Sequence, residues 1–143
     1  MLESPFAFFR GAAAIMAADL ARTPSSGISV QLCGDAHLSN FGLSASPERR
    51  QVFDVNDFDE TLPGPWEWDV KRLAASAVVA GRESDMKGSD ARAAALAAVS
   101  GYRDAMRRFS TLPILDVWYA QASVDALRSI ASSKSARKAL DAG

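Results

Sequence analysis

An α+β fold is what this sequence predicts, on three observations. Helical periodicity occupies both ends of the chain, β-branched and alternating runs occupy the middle, and two dense polar bursts fall at the strand junctions. The expected order is helix, strand and β-hairpin, followed by several helices.

Ser4-Pro5 predicts a helix start, with serine as the cap and proline in the first turn. Phe9, Ala13, Met16 and Leu20 then share one apolar face of a helix ending near Arg22. After the turn TPSSG (23–27), ISVQLC (28–33) alternates partly and is β-branched at Ile28 and Val30, which predicts a strand. NFGL (40–43) and QVFDV (51–55) predict two short strands joined by SASPERR (44–50), a hairpin. ETLPGP (60–65) reads as a turn. From Pro65 the period becomes helical, with Trp66, Val70, Leu73 and Ala77 on one face and Gly81 as the stop. Beyond the turn ESDMKGSD (83–90), Ser89 is expected to cap an alanine-rich helix to about Arg108, with Leu96, Val99 and Met106 on its apolar side. Asp116 to Ser132 predicts another helix, with Trp118, Tyr119, Leu127 and Ile130 partly inward, and the tail SKSARKALDAG reads as helical.

The 143 residues amount to one domain's worth of chain, and no loop is long enough to divide it. Hydrophobic residues make up 48% and charged residues 23%, an ordinary globular balance. A net charge of −1, with scattered basic groups, gives no electrostatic case for nucleic acid or an anionic membrane. No apolar run approaches the ~20 residues of a membrane span. One cysteine and no signal-peptide pattern make a reducing, cytoplasmic protein the expectation.

The chemistry concentrates in the bursts. CGDAHLSNFG (33–42) holds Asp35, the only histidine (His37) and Asn40 between two glycines, and NDFDE (56–60) adds Asp57 and Asp59. A strand that ends at Cys33 and turns at Gly34 leaves Asp35 and His37 on a loop. If the hairpin folds back on itself, Asn40 lies beside Asp57, one loop from Asp35. Carboxylate and amide oxygens converging this way suit a hard cation such as Mg²⁺, which binds through one or two carboxylates plus substrate phosphates. A remaining acid can orient or deprotonate a hydroxyl nucleophile.

Asp-x-x-x-x-Asn over Asp35 to Asn40, then a hairpin and the apolar-x-Asp-Phe of Val55 to Phe58, resembles the catalytic and metal-binding loops of the protein-kinase-like fold. The likeness is greatest to its aminoglycoside- and choline-phosphotransferase branch. In GDAHLSN the glycine, aspartate, histidine and asparagine all match. Asp69 in WEWDVKRLA resembles a further aspartate of that branch, which opens a helix and braces the catalytic loop by hydrogen-bonding its backbone. Together with SPFAFFRGAA and NDFDETLPGPWEWDVKRLAAS, these motifs are similar to the bacterial family called domain of unknown function 2252, over roughly the first two-thirds of the chain.

The resemblance implies Asp35 as catalytic base, His37 as a support of the loop or a phosphate contact, and Asn40 and Asp57 as metal ligands. It implies Asp59 as an additional ligand or as a support behind the ligands, Mg²⁺ and ATP as cofactors, and a small-molecule or protein hydroxyl as acceptor. It implies the C-terminal lobe of the kinase-like fold with the nucleotide-binding lobe absent. Cys33 stands where the kinase pattern has a histidine, and the sequence holds neither a glycine-rich phosphate loop nor an apolar-x-Lys strand. In the resembled family those parts lie downstream, in permuted order. The expectation is therefore a single domain over 1–143, a fragment of a larger kinase-like one, inactive alone and partnered by the downstream segment.

Two other classes compete. A non-catalytic relic or binding module would keep the acidic loops without turnover. A metal-dependent phosphoesterase also uses GDxH, but such sites need several histidines and this chain has one. Plainer readings stand beside each residue. Asp and Asn cap turns everywhere, and Cys33 reads as a small buried strand residue. Asp54 is a rival metal ligand or the solvent face of a strand. Trp66 and Trp68 read as helix packing, Arg10 as an exposed helix arginine, and Lys71 and Arg72 as a solvated face.

Overall fold

Helix α1 (Pro5–Arg10) starts on the expected cap, with Ser4 Oγ accepting from Ala7 N at 3.1 Å. The computed structural model describes residues 4–120, Ala122 and Leu127, and it breaks the expected long first helix at Gly11 and Ala12. The chain resumes as α2 (Ala13–Leu20). Glycine within a helix is disfavoured by its backbone freedom, and the periodicity of large residues does not register that weakness.

Strand β1 (Ser29–Leu32) forms as expected. Its partner corrects the reading of ETLPGP as a turn: Leu62–Pro65 is a strand, β4, antiparallel to β1 from Ser29↔Pro65 to Leu32↔Leu62. Prolines at 63 and 65 cannot donate to a ladder, which suits the edge of a two-stranded sheet. Leu32, 2% exposed, packs over Gly64, where a Cβ would lie 2.7 Å from its Cδ1.

The helix after Pro65, α3 (Glu67–Glu83), runs past the expected stop. Gly81 lies inside it because α4 (Gly88–Phe109) comes close there: a Cβ at 81 would sit 2.9 Å from the Ala91 Cβ. The α4 face that packs inward is a small-residue seam of Ala91, Ala94, Ala95 and Ala98, continued by Tyr102, whose ring stacks on Trp66 at 5.4 Å. Leu96, Val99 and Met106, expected inward, are exposed; close approach of the helices selects the alanines. Ser89 does not cap α4 either, since it lies within the first turn and donates to Asp90 Oδ1 at 3.2 Å.

The fold divides into two units, Met1–Asn40 with Asp57–Thr111, and Phe41–Asn56 with Leu112–Gly143. The second contains the expected hairpin, β2 (Phe41–Ala45) and β3 (Gln51–Val55), in register from Phe41↔Val55 to Ala45↔Gln51. Arg49 takes a φ of 59° in its turn, Val52 is buried, and Phe41 stacks on Phe53. The helix expected over 116–132 begins at Ile114 and α5 closes at Trp118, leaving Trp118 and Tyr119 exposed rather than inward. Leu127 is half-buried; Ile130, Ser132 and the tail 133–143 lie outside the described residues. Among the described residues no helix is long and apolar enough to cross a membrane.

The centre of the first unit is unusually polar. Beside Ala12, Leu32, Ala36, Ala77 and Ala91 it buries His37, Asn40, Arg72 and Ser76. Buried polar groups need partners, and those partners build the site.

Candidate functional site

Three side chains on α3, spaced three and four residues apart, hold the loop that follows β1. Residues at i, i+3 and i+7 line one helix face, and here that face is Asp69, Arg72 and Ser76. The Asp69 carboxylate accepts from Cys33 N at 2.7 Å and Gly34 N at 3.1 Å, the backbone bracing that the sequence suggested. It does so from the first turn of α3, without capping the helix. Ser76 Oγ accepts from Leu38 N at 3.1 Å and donates to Leu73 O. Gly34 turns the chain between these anchors at φ +84°, where a Cβ would meet Glu60 O at 2.0 Å, so only glycine fits.

Arg72 overturns its reading as a solvated residue. It is 2% exposed, and a buried guanidinium needs acceptors for its five N–H groups. Nε donates to Asp35 Oδ1 at 2.6 Å, and Nη2 reaches the same oxygen. Nη2 also donates to Phe9 O at 2.9 Å and Arg10 O at 3.2 Å, the last carbonyls of α1, where a cation is favoured. The guanidinium lies over the Phe9 ring, 4.6 Å from its centroid. Sequence reasoning missed both Arg72 and Ser76. The available signal was a polar i, i+3, i+7 row on a helix whose neighbouring positions, Lys71 apart, are apolar.

His37 is buried, with Nε2 3.3 Å from Asp35 Oδ2 and the Phe6 ring edge-on at 6.2 Å. Burial pushes its pKa down; Asp35 opposes this, while Arg72 and Arg10 reinforce it. Burial thus favours the neutral ring, and Nε2 is the ring nitrogen that faces a carboxylate oxygen. Nδ1 is buried with no hydrogen-bond partner among the described residues.

Asn40, 4% exposed, links the two bursts. Its Nδ2 donates to Asp35 O at 3.1 Å and to Asp57 O at 3.0 Å, with Cys33 Sγ at 3.7 Å. Two carbonyl acceptors fix the amide's orientation, since only the NH₂ side can serve them. Thr61 fastens the same junction, its Oγ1 donating to Leu32 O at 2.6 Å and accepting from Gln31 Nε2. Burial pushes the Cys33 thiol pKa up, so Cys33 remains a protonated packing residue.

The structure thus brings Asp35, His37, Asn40 and the Asp57 backbone together. Asp57 and Asp59 are exposed, and Asp57 Oδ1 accepts from Asp59 N at 3.0 Å in a local turn. Asp54, the rival ligand, lies in the hairpin unit and accepts from Val55 N. Among the described residues no three His, Cys, Asp or Glu side chains cluster so as to hold a metal ion by themselves.

A family model described as "Uncharacterized protein conserved in bacteria (DUF2252)" matches residues 1–142. The match thus extends to residue 142, beyond the roughly two-thirds covered by the motifs. No curated protein and no solved structure matches the chain.

Proposed function

The chain belongs to the DUF2252 family, and from that premise we propose that it carries the catalytic loops of a metal- and nucleotide-dependent, kinase-like phosphotransferase acting on a hydroxyl acceptor. One observation carries the reading: the Asn40 amide is committed through its NH₂ to Asp35 O and Asp57 O. This ties the two bursts into one unit and leaves the amide oxygen as the remaining polar atom of that side chain. The donors at hand, an amide oxygen from Asn40 and carboxylates from Asp57 and Asp59, are hard oxygens that suit Mg²⁺. Their small number fits an ion that arrives with substrate phosphates, whereas a self-sufficient cage would need more ligands. When bound there, Mg²⁺ would neutralise phosphate charge. Asp35 would orient the acceptor hydroxyl and take its proton, and His37 would lie beside the carboxylate through Nε2. The expected C-terminal-lobe architecture belongs to this proposal, as does the grip on nucleotide by a glycine-rich segment and strand lysine outside these motifs.

A non-catalytic binding module is the second reading. It is favoured by the Arg72 guanidinium already seated on Asp35. Calorimetric titration with Mg·ATP separates the two. The 143-residue chain is expected to bind at millimolar affinity or weaker, without turnover. A longer DUF2252 polypeptide with the glycine-rich segment and lysine strand is expected to bind in the micromolar range. No binding by the longer protein would sink the phosphotransferase reading, and micromolar binding by the short chain would refute the missing-half reading.

A further inference from the structure

Arginine usually meets a structural carboxylate fork to fork, taking both oxygens in two parallel bonds. Arg72 does otherwise. Both of its contacts to Asp35, from Nε and Nη2, converge on Oδ1. Oδ2 is left to the longer 3.3 Å contact with His37 Nε2. The guanidinium is itself held from behind by the carbonyls of Phe9 and Arg10, by the Phe9 ring, and by Met16 Sδ at 3.6 Å. A group gripped by so many partners has little freedom to follow the carboxylate, so the carboxylate follows it.

We infer that Arg72 is a positioning residue for Asp35. It pins Oδ1, fixes the rotation of the carboxylate, and presents Oδ2 as the oxygen that meets the acceptor hydroxyl. This rests on the phosphotransferase reading for the identity of the acceptor, while the pinning itself does not. Helix α1 thereby becomes part of the site without touching any reacting atom. Its terminal carbonyls orient Arg72, Arg72 orients Asp35, and Asp35 Oδ2 fixes the proton of His37 on Nε2. One guanidinium thus joins the FFRG stretch to the GDAH stretch.

His37 supplies the readout, because the chain has no other histidine and its ring signals need no assignment. Nitrogen NMR of the wild-type chain is expected to show two well-separated ring signals, those of a single Nε2–H tautomer. In Arg72→Gln and Arg72→Lys the carboxylate is free to turn, and the signals should converge toward a mixture of tautomers while the amide spectrum stays folded. Unchanged ring signals in a folded Arg72→Gln would overturn the inference. Should both variants fail to fold, the wild type decides: Arg72 Nε–H should exchange with water at least a hundredfold more slowly than that of Arg103, whose side chain is 57% exposed. Exchange at the Arg103 rate would overturn it equally. In a family member with measurable transfer, Arg72→Lys should lower kcat at least tenfold and leave the KM for Mg·ATP within twofold. Equal losses in both would make Arg72 a structural clamp. Wild-type ring signals that are not well separated, in a longer family member that binds Mg·ATP, would count against the Arg72 inference alone; well-separated wild-type signals in a longer protein that fails to bind Mg·ATP would count against the phosphotransferase.

Discussion

Residues 33–40 and residues 57–60 carry similar polar side chains, yet His37 and Asn40 are buried whereas Asp57, Phe58, Asp59 and Glu60 are all exposed. The first stretch is held residue by residue from α3, through Asp69, Arg72 and Ser76. The second is held through its backbone: Asp57 O accepts from Asn40, and Glu60 O packs against Gly34. Its carboxylates face solvent. The difference teaches that similar residues divide the work. In the first stretch polar groups are the core, and their geometry is part of stability. In the second they are free of the core, which is what the proposed contact with a cation and its phosphates requires.

That division can be broken at its strongest point first. Arg72→Met should destabilise the chain by about 3–5 kcal/mol, because it leaves a half-buried carboxylate without its charge partner; urea denaturation would measure this. Gly34→Ala should cost about 2–5 kcal/mol, combining the left-handed backbone with a collision against Glu60 O. A thermal melt close to wild type would show that the two stretches do not touch there. Asp69→Ala should cost about 1–3 kcal/mol by stranding the amides of Cys33 and Gly34. An unchanged melting curve would remove the brace. Asp57→Asn and Asp59→Asn complete the series at the small end, within about 0.5 kcal/mol of wild type, as surface substitutions usually are.

The same division marks what could be read from the sequence. The hairpin strands were legible to within two residues, because alternation and turn chemistry are local signals. Ser4 was legible for the same kind of reason, a capping residue before proline, whereas the Asp69 brace was implied by the resemblance alone. Strand β4 was not: Pro63, Gly64 and Pro65 are turn residues by composition, and only pairing with β1, some thirty positions away, makes them a strand. Arg72 was hidden for a related reason. A charged residue in a helix is solvated unless acceptors arrive from elsewhere, and its acceptors come from Asp35, Phe9 and Arg10. The inward face of α4 was misplaced because periodicity follows large residues, while close helix contact at Gly81 favours small ones.

In the proposed phosphotransferase, the exposed carboxylates of the second stretch and the pinned amide of the first would hold one cation between them. Mn²⁺ replaces Mg²⁺ at oxygen sites and broadens the NMR signals of nearby nuclei, so a titration of the chain with Mn²⁺ and ATP tests it most directly. Broadening should begin at Asn40, Asp57 and Asp59, and Asp57→Asn should abolish it there. Broadening that begins instead at other exposed acids such as Asp85, Asp90 or Asp104, with Asn40 and Asp57 untouched, would contradict it.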